Sequence, residues 1–307
     1  MGTGPLSWAK IARGERWLYS PKLAAWQKKI INDMKKRVPQ EKDLLWILSS
    51  GTQSVDEVKA IGVTHQAVLA SAAAVNRHLR ARAHDRWLLN LPTYHVGGLG
   101  ILARAHLSGS QVSVQKRWDA EKFVDLVGQD KVTLCSLVPT QIHDVVKASL
   151  KCPASLRAIV VGGGALDPSL YLSARRLGWP LLPSYGLTET CSQIATATLR
   201  SLSRRDFPAL EVLSHAEVEL REQRIFVRAK SLCRYVARGN KNGLFTIENP
   251  LRAGWLPTED LGEWRRHGLR VLGRRDDVVK ILGTLVPVNQ VEHEARAFFK
   301  KAGLEAD

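Results

Sequence analysis

Three segments place hydroxyls, glycines and a carboxylate at spacings that could hold a phosphorylated ligand. The first is Ser49-Ser50-Gly51-Thr52, with Lys59 a few residues on. Small hydroxyl residues around a glycine leave backbone N–H groups free to wrap phosphate oxygens, and a lysine adds charge. It is not a Walker loop, because no GxxxxGKS/T occurs. The second is Gly162-Gly163-Gly164-Ala165, directly after an apolar run. Consecutive glycines let a flat ring or a phosphate approach the backbone closely. The third is Ser184-Tyr185-Gly186-Leu187-Thr188-Glu189-Thr190. It supplies an aromatic face for a base, a hydroxyl for a phosphate oxygen and a carboxylate for a divalent cation. Taken singly, each has a plainer reading: a polar turn, a tight strand-to-helix turn and a surface acid.

The elements that position these segments follow from hydrophobic period and turn residues. Leu44 to Leu48 reads as a strand running into the first segment, and Gln66 to Arg82 as a helix with Val68, Ala72, Val75 and Leu79 on one face. Strands then alternate with helices: strands at 87–91, 111–114, 132–138, 156–161 and 180–184, helices at 96–107, 120–128, 141–149 and 168–176. That alternation predicts an α/β domain with a largely parallel sheet and flanking helices. After about Thr198 the pattern changes. Ala216–Leu220 and Arg224–Val227 read as an antiparallel hairpin, with further short strands at 269–272 and 278–282 and a last helix at 289–301.

The net charge of +16 is the unusual bulk property, beside an ordinary 45% hydrophobic and 24% charged content. It suits a nucleic-acid surface, an anionic membrane surface or an enzyme whose ligands are all anions. Lys and Arg are spread along the chain without a nucleic-acid-binding module, so no nucleic-acid partner is expected. No apolar run approaches the roughly 20 residues of a membrane span, and the N-terminus does not resemble a secretory peptide. A cytoplasmic location without stable membrane insertion is the resulting expectation. The four cysteines are scattered, with no CxxC pair, and read as reduced thiols.

Six segments in one order carry a resemblance. They are the three above, Tyr94-His95-Val96-Gly97-Gly98, Gly254 to Gly262 (GWLPTEDLG) and Gly273-Arg274-Arg275-Asp276-Asp277. Together they resemble the adenylate-forming superfamily of acyl-CoA synthetases, luciferases and peptide-synthetase adenylation domains, over about residues 45 to 293. Within it, Tyr185 to Gln193 with Tyr94 to Gly100 looks most like the o-succinylbenzoate–CoA ligases of menaquinone biosynthesis.

The resemblance implies the following expectations. The fold is α/β: the large domain of an adenylate-forming enzyme plus a smaller β-rich subdomain, with the C-terminal domain mostly absent. Its parts would be an N-terminal helical segment 1–44, a nucleotide- and acyl-binding core 45–198, a β-rich subdomain 199–275, and 276–307 as hinge and start of the C-terminal domain. ATP, Mg²⁺ and coenzyme A are the implied cofactors and co-substrates, and a small carboxylic acid the substrate. Ser49, Ser50, Gly51 and Thr52 would form the phosphate loop, with Lys59 as its lysine. Gly163, Gly164 and Ala165 would line the adenine and acyl pocket, beside Ser184, Tyr185 stacked on adenine, and Gly186. Thr188 would contact the α-phosphate and Glu189 hold Mg²⁺, while Asp260 and Arg274 reach the ribose. His95, Gly98, Ser192 and Gln193 would edge the acid pocket, and Asp276 would be the hinge.

The sequence departs from the pattern in several places. Val55 to Ile61 looks two residues longer than the usual loop, which leaves the register of Lys59 open, and Glu259 stands where a glycine is usual. The stretch before the phosphate loop is short, and the family's late adenylation lysine is missing; Lys300 and Lys301 are too near the hinge. The chain is therefore expected to be a shortened form of a compact ligase. A ligase for another aromatic or aliphatic acid and a catalytically impaired nucleotide-binding homologue stay open as alternatives. A homodimer is compatible with the sequence but not selected by it.

Overall fold

A layer of two helices separates the two larger sheets of the molecule. The structure is a computed structural model that describes residues 7–14, 16–49, 56–275, 278–281 and 284–287. The chain begins with α1 (Trp8–Arg13), β1 (Trp17–Leu18) and α2 (Ala25–Arg37), then β2 (Leu44–Leu48), β3 (Glu57–Thr64) and α3 (His65–Leu79). The alternating part follows: β4 (Arg86–Leu89), α4 (Val96–Ser108), β5 (Gln111–Val114), α5 (Ala120–Gln129), β6 (Leu134–Leu137), α6 (Pro139–Lys147), β7 (Ala158–Val161), α7 (Pro168–Arg176), β8 (Leu181–Leu187) and β9 (Ser192–Thr196). The remainder is β: β10 (Glu211–Val212), β11 (Ala216–Arg221), β12 (Arg224–Ala229), β13 (Tyr235–Asn240), β14 (Phe245–Glu248), β15 (Leu256–Arg265), β16 (Gly268–Arg274), β17 (Val278–Ile281) and β18 (Thr284–Pro287).

The predicted α/β sheet has seven strands in the order β10-β9-β8-β7-β6-β4-β5. β5, β4, β6, β7 and β8 run parallel, and β9 and β10 turn antiparallel at the edge. Helices α5, α6 and α7 cover one face through Phe123, Val145 and Tyr171, joined by Trp179 after α7. Helices α3 and α4 cover the other through Val75, Leu79, Ile101 and Leu102. Their opposite sides, with Val68, Ala72, Leu99 and Ala103, pack on Leu45, Ile47, Ile61 and Val63 of a second sheet. Each Val, Leu, Ile or Phe among them taken out of water contributes about 1.5–3 kcal/mol. Among the described residues no helix is long and apolar enough to cross a membrane.

The helix boundaries have local causes. Thr64 Oγ1 accepts the Ala67 N–H and starts α3, Asp119 caps α5 in the same way, and prolines open α6 and α7. The helix expected to reach Arg82 ends at Leu79, because Arg80 adopts a left-handed φ of 51°. Asp85 and Arg157 tie the amino ends of β4 and β7 together: Arg157 donates to both Asp85 oxygens at 2.8 Å. Burial alone would raise the Asp85 carboxyl; hydrogen bonds from Arg157, Thr133 and the Arg82 N–H overcome this and hold it at about 2.

Several strands were not visible in the sequence pattern, and three of them shape the site. Residues 57–61, read as an overlong loop, belong to β3, and β13 and β15 stand where no strand is expected. β13 pairs with β3, in a five-stranded sheet β1-β2-β3-β13-β14. β15 completes a four-stranded antiparallel sheet β11-β12-β15-β16 and carries Asp260. Residues from both sides of the expected 198/199 boundary therefore share one sheet.

Candidate active site

The carboxyl ends of β6, β7 and β8 open into a cleft of about 2830 Å³, where open α/β sheets bind ligands. After β7 the chain passes through Gly163 at φ 79°, and Gly163, Gly164 and Ala165 line the cleft. β8 enters the cleft with Ser184, Tyr185 and Gly186, followed by the 3-10 turn Thr188–Thr190 that presents Glu189. Gly186 has no room for a side chain: a Cβ there would lie 1.9 Å from the Ser192 carbonyl oxygen. The β8–β9 register shifts between Tyr185 and Gly186. Cys191 and Ser192 then take φ values of 53° and 106°, backbone strain of about 1–3 kcal/mol per residue that turns the chain into β9.

Two polar pairs face the cleft. Lys59 Nζ lies 2.5 Å from Glu189 Oε1, joining residues 130 positions apart. Lys59, whose register the sequence leaves open, lies on β3. The Tyr185 hydroxyl donates to Asp260 Oδ2 at 2.7 Å, and Asp260 pairs with Arg274 across β15 and β16. Burial pushes the Asp260 carboxyl up, against the hydrogen bond from Tyr185 and the charge of Arg274. Glu259, beside it, accepts from Arg224 Nη2 at 2.6 Å.

Ser49 lines the cleft at the end of β2. Ser50, Gly51, Thr52 and Asp276 lie outside the described residues. Ser184 lines the cleft, but its hydroxyl donates to the Val161 carbonyl at 2.9 Å. His95 faces the cleft, and burial lowers its pKa. Gly98 does not line it, whereas Gly97 does. Instead, Gly98 lets the start of α4 press on the preceding turn: a Cβ would lie 2.4 Å from the carbonyl oxygens of Leu91 and Pro92.

Ser192 and Gln193 do line the cleft, and Gln193 leads to a residue the sequence reading missed. Arg104, on α4, is 1% exposed and reaches the cleft wall from beneath. Its Nη2 donates to Gln193 Oε1 at 2.5 Å and its Nη1 to Ser136 Oγ at 3.2 Å, while its Nε has no partner. The guanidinium lies 5.3 Å from the centre of the Trp87 ring. Burial lowers its pKa to about 10, so it remains a cation at neutral pH. The available signal was an arginine inside the apolar run Gly98 to Ala105.

The cleft therefore joins two halves. One holds Lys59, Thr188, Glu189, Tyr185 and Asp260; the other is floored by a buried cation.

The sequence signature of the AMP-binding enzymes matches residues 9–250. The 2-succinylbenzoate–CoA ligase of Bacillus pumilus is 30% identical over 216 residues, which cover 68% of this chain and 44% of that protein. The Staphylococcus aureus enzyme of the same name is 28% identical over 260 residues, covering 82% and 51%. The o-succinylbenzoate coenzyme A synthetase of Bacillus subtilis, in complex with ATP and magnesium ion, superposes with a TM-score of 0.67 at 27% identity. That match covers 79% of this chain and 52% of the other. The chain thus spans about half the length of the curated relatives it matches. With the signature running through β3, the glycine turn after β7 and the Tyr185–Glu189 segment, the chain belongs to the AMP-binding enzyme family.

Proposed function

We propose that this chain forms the nucleotide- and acid-binding part of an AMP-forming acid–thiol ligase, activating o-succinylbenzoate to its acyl adenylate for transfer to coenzyme A. The observation that carries the choice of acid is Arg104. A buried guanidinium that lines the cleft and has no carboxylate partner among the described residues suits an acid with a second carboxylate. A monocarboxylic acid would leave that cation buried without a counter-charge.

Geometry and family membership support the reading of the nucleotide half. Tyr185 offers its ring to adenine while its hydroxyl orients Asp260 toward the ribose hydroxyls. Thr188 contacts the α-phosphate. The oxygen donors at Glu189 and Thr188 fit a hard cation held by one carboxylate and substrate phosphates. When bound there, Mg²⁺ supplies positive charge at the phosphoryl oxygens. In the first step a carboxylate oxygen of the acid forms a bond to the α-phosphorus, and the bond to pyrophosphate breaks. The nucleophile is already ionised, so no general base is needed. Lys59 and Thr188 neutralise charge on the transferring group. In the second step the coenzyme A thiol forms the thioester and AMP leaves, its proton passing to solvent.

The test is pyrophosphate release with ATP, Mg²⁺ and a panel of acids, with and without coenzyme A. Release with o-succinylbenzoate and not with simple monocarboxylic acids is expected. Release only with monocarboxylic acids would overturn the choice of substrate. ATP binding without turnover on any acid would favour a nucleotide-binding homologue.

A further inference from the structure

The ion pair between Lys59 and Glu189 occupies the oxygen a metal would need. We infer that the Lys59 ammonium and a divalent cation compete for Glu189 Oε1, so that the site admits its metal with the nucleotide rather than before it. This rests on the proposed reading of Glu189 as a metal-holding carboxylate.

The contact is set by the fold rather than by a loop. Lys59 is the third residue of β3, opposite Arg238 of β13, and on the other side its carbonyl accepts the N–H of Ser49, just past the end of β2. Glu189 is anchored from the same sheet, because its carbonyl accepts the Cys233 N–H at 2.7 Å, two residues before β13 begins. The two backbones are therefore fixed, and the side chains meet at 2.5 Å with 21% and 16% exposure. Partial burial leaves the pair less screened than a surface ion pair. Among the described residues Lys59 is the cation given a salt bridge to Glu189. Asp260 lies close enough for mutual repulsion with Glu189, and Arg274 is its strand partner across β15 and β16.

A small divalent cation demands near-ideal octahedral geometry at about 2.0–2.1 Å from its oxygens. It cannot take Oε1 while an ammonium sits on that atom, and the two cations repel. The lysine's flexible four-carbon stem resolves the conflict without backbone motion. When phosphates enter, the ammonium swings to their oxygens and frees the carboxylate. Nucleotide and metal affinities are then coupled, and the coupling is reciprocal. One lysine would thereby both hold phosphate and gate the metal.

Mn²⁺ is the probe, with free metal counted by electron paramagnetic resonance and no turnover required. Wild type, Lys59→Met and Lys59→Arg are titrated with and without ATP. Wild type should bind Mn²⁺ weakly alone and at least about tenfold more tightly with ATP, a coupling of about 1.4 kcal/mol. Lys59→Met should bind Mn²⁺ alone about tenfold more tightly than wild type, with a smaller gain from ATP. Lys59→Arg, which keeps the cation, should follow wild type. Glu189→Gln should remove the tight site from wild type and from Lys59→Met alike. Nucleotide-free Mn²⁺ affinity of Lys59→Met within twofold of wild type, with ATP-dependent binding intact in wild type, overturns the competition and leaves the site assignment standing. No gain from ATP in wild type overturns both. If Lys59→Met does not fold by circular dichroism, Lys59→Gln makes the same comparison.

Discussion

Arg104→Met removes the buried guanidinium while keeping an unbranched side chain that fills much of the same space. Among the described residues Arg104 forms no ion pair; its partners are the neutral Gln193 and Ser136, and the Trp87 ring. The folded protein thus carries an uncompensated buried charge, which lowers the pKa to about 10. Replacing buried ionic groups by apolar ones of similar volume is often neutral or stabilising by about 1–4 kcal/mol. The two lost hydrogen bonds act the other way, at about 1.5–3 kcal/mol each for bonds to a charged group, and match or exceed that gain. The variant should therefore unfold within about 2 kcal/mol of wild type in urea. Catalysis should change far more. If Arg104 meets a second carboxylate of the acid, losing that desolvated contact costs about 2–4 kcal/mol, or roughly 30- to 700-fold in kcat/KM. The assay is pyrophosphate release with o-succinylbenzoate and with the same keto acid lacking its ring carboxylate. The first substrate should lose most of its kcat/KM, falling toward that of the second, a poor substrate whose low value should change little. Equal losses on both acids, or none on the diacid, would refute the reasoning and leave Arg104 a structural residue.

Other outcomes follow from single contacts. Tyr185→Phe keeps the ring but removes the hydrogen bond to Asp260, so KM for ATP should rise about 5- to 30-fold, the worth of roughly 1–2 kcal/mol. That bond lowers the Asp260 pKa against burial, so the acid limb of the kcat/KM profile for ATP should move to higher pH in this variant; an unmoved limb would detach Asp260 from nucleotide binding. Asp85→Asn should cost about 2–4 kcal/mol at pH 7 by breaking the contact with Arg157. Because the folded Asp85 carboxyl is depressed to about 2, its contribution is present above the ordinary carboxylate range and lost as pH falls through about 2; urea melts at pH 7 and pH 2 should show the gap closing. Gly186→Ala places a Cβ on the Ser192 carbonyl, so it should destabilise the fold by 3 kcal/mol or more, or lose nucleotide binding through a shifted β8–β9 turn; calorimetry with nucleotide reads both.

Much of the cleft was legible in the sequence because its residues sit beside strand ends that announce themselves. Tyr185 to Glu189 and Gly163 to Ala165 each follow a short apolar run, and the parallel sheet aligns those ends on one edge. Local period failed where the strands are not apolar. β15 carries Glu259, Asp260, Glu263 and Arg265, and β13 carries Arg238 and Asn240, so neither reads as a buried strand. Both form through pairing with partners distant in the chain, a non-local gain that no window of sequence contains.

By itself the sequence determined the types of group available to the chemistry: a glycine turn, an aromatic and carboxylate segment after a strand, and an α/β frame to carry them. These depend on neighbours in the chain, through backbone freedom and hydrophobic period. Only the tertiary structure decided which charges meet. Lys59 reaches Glu189 because β3 pairs with β13, whose approach also anchors the Glu189 carbonyl. Arg104 becomes a buried cation because α4 is packed on both sides, between the seven-stranded sheet and the sheet of β2 and β3. Burial and ion pairing are properties of the surroundings, and those are assembled from residues far apart in the chain.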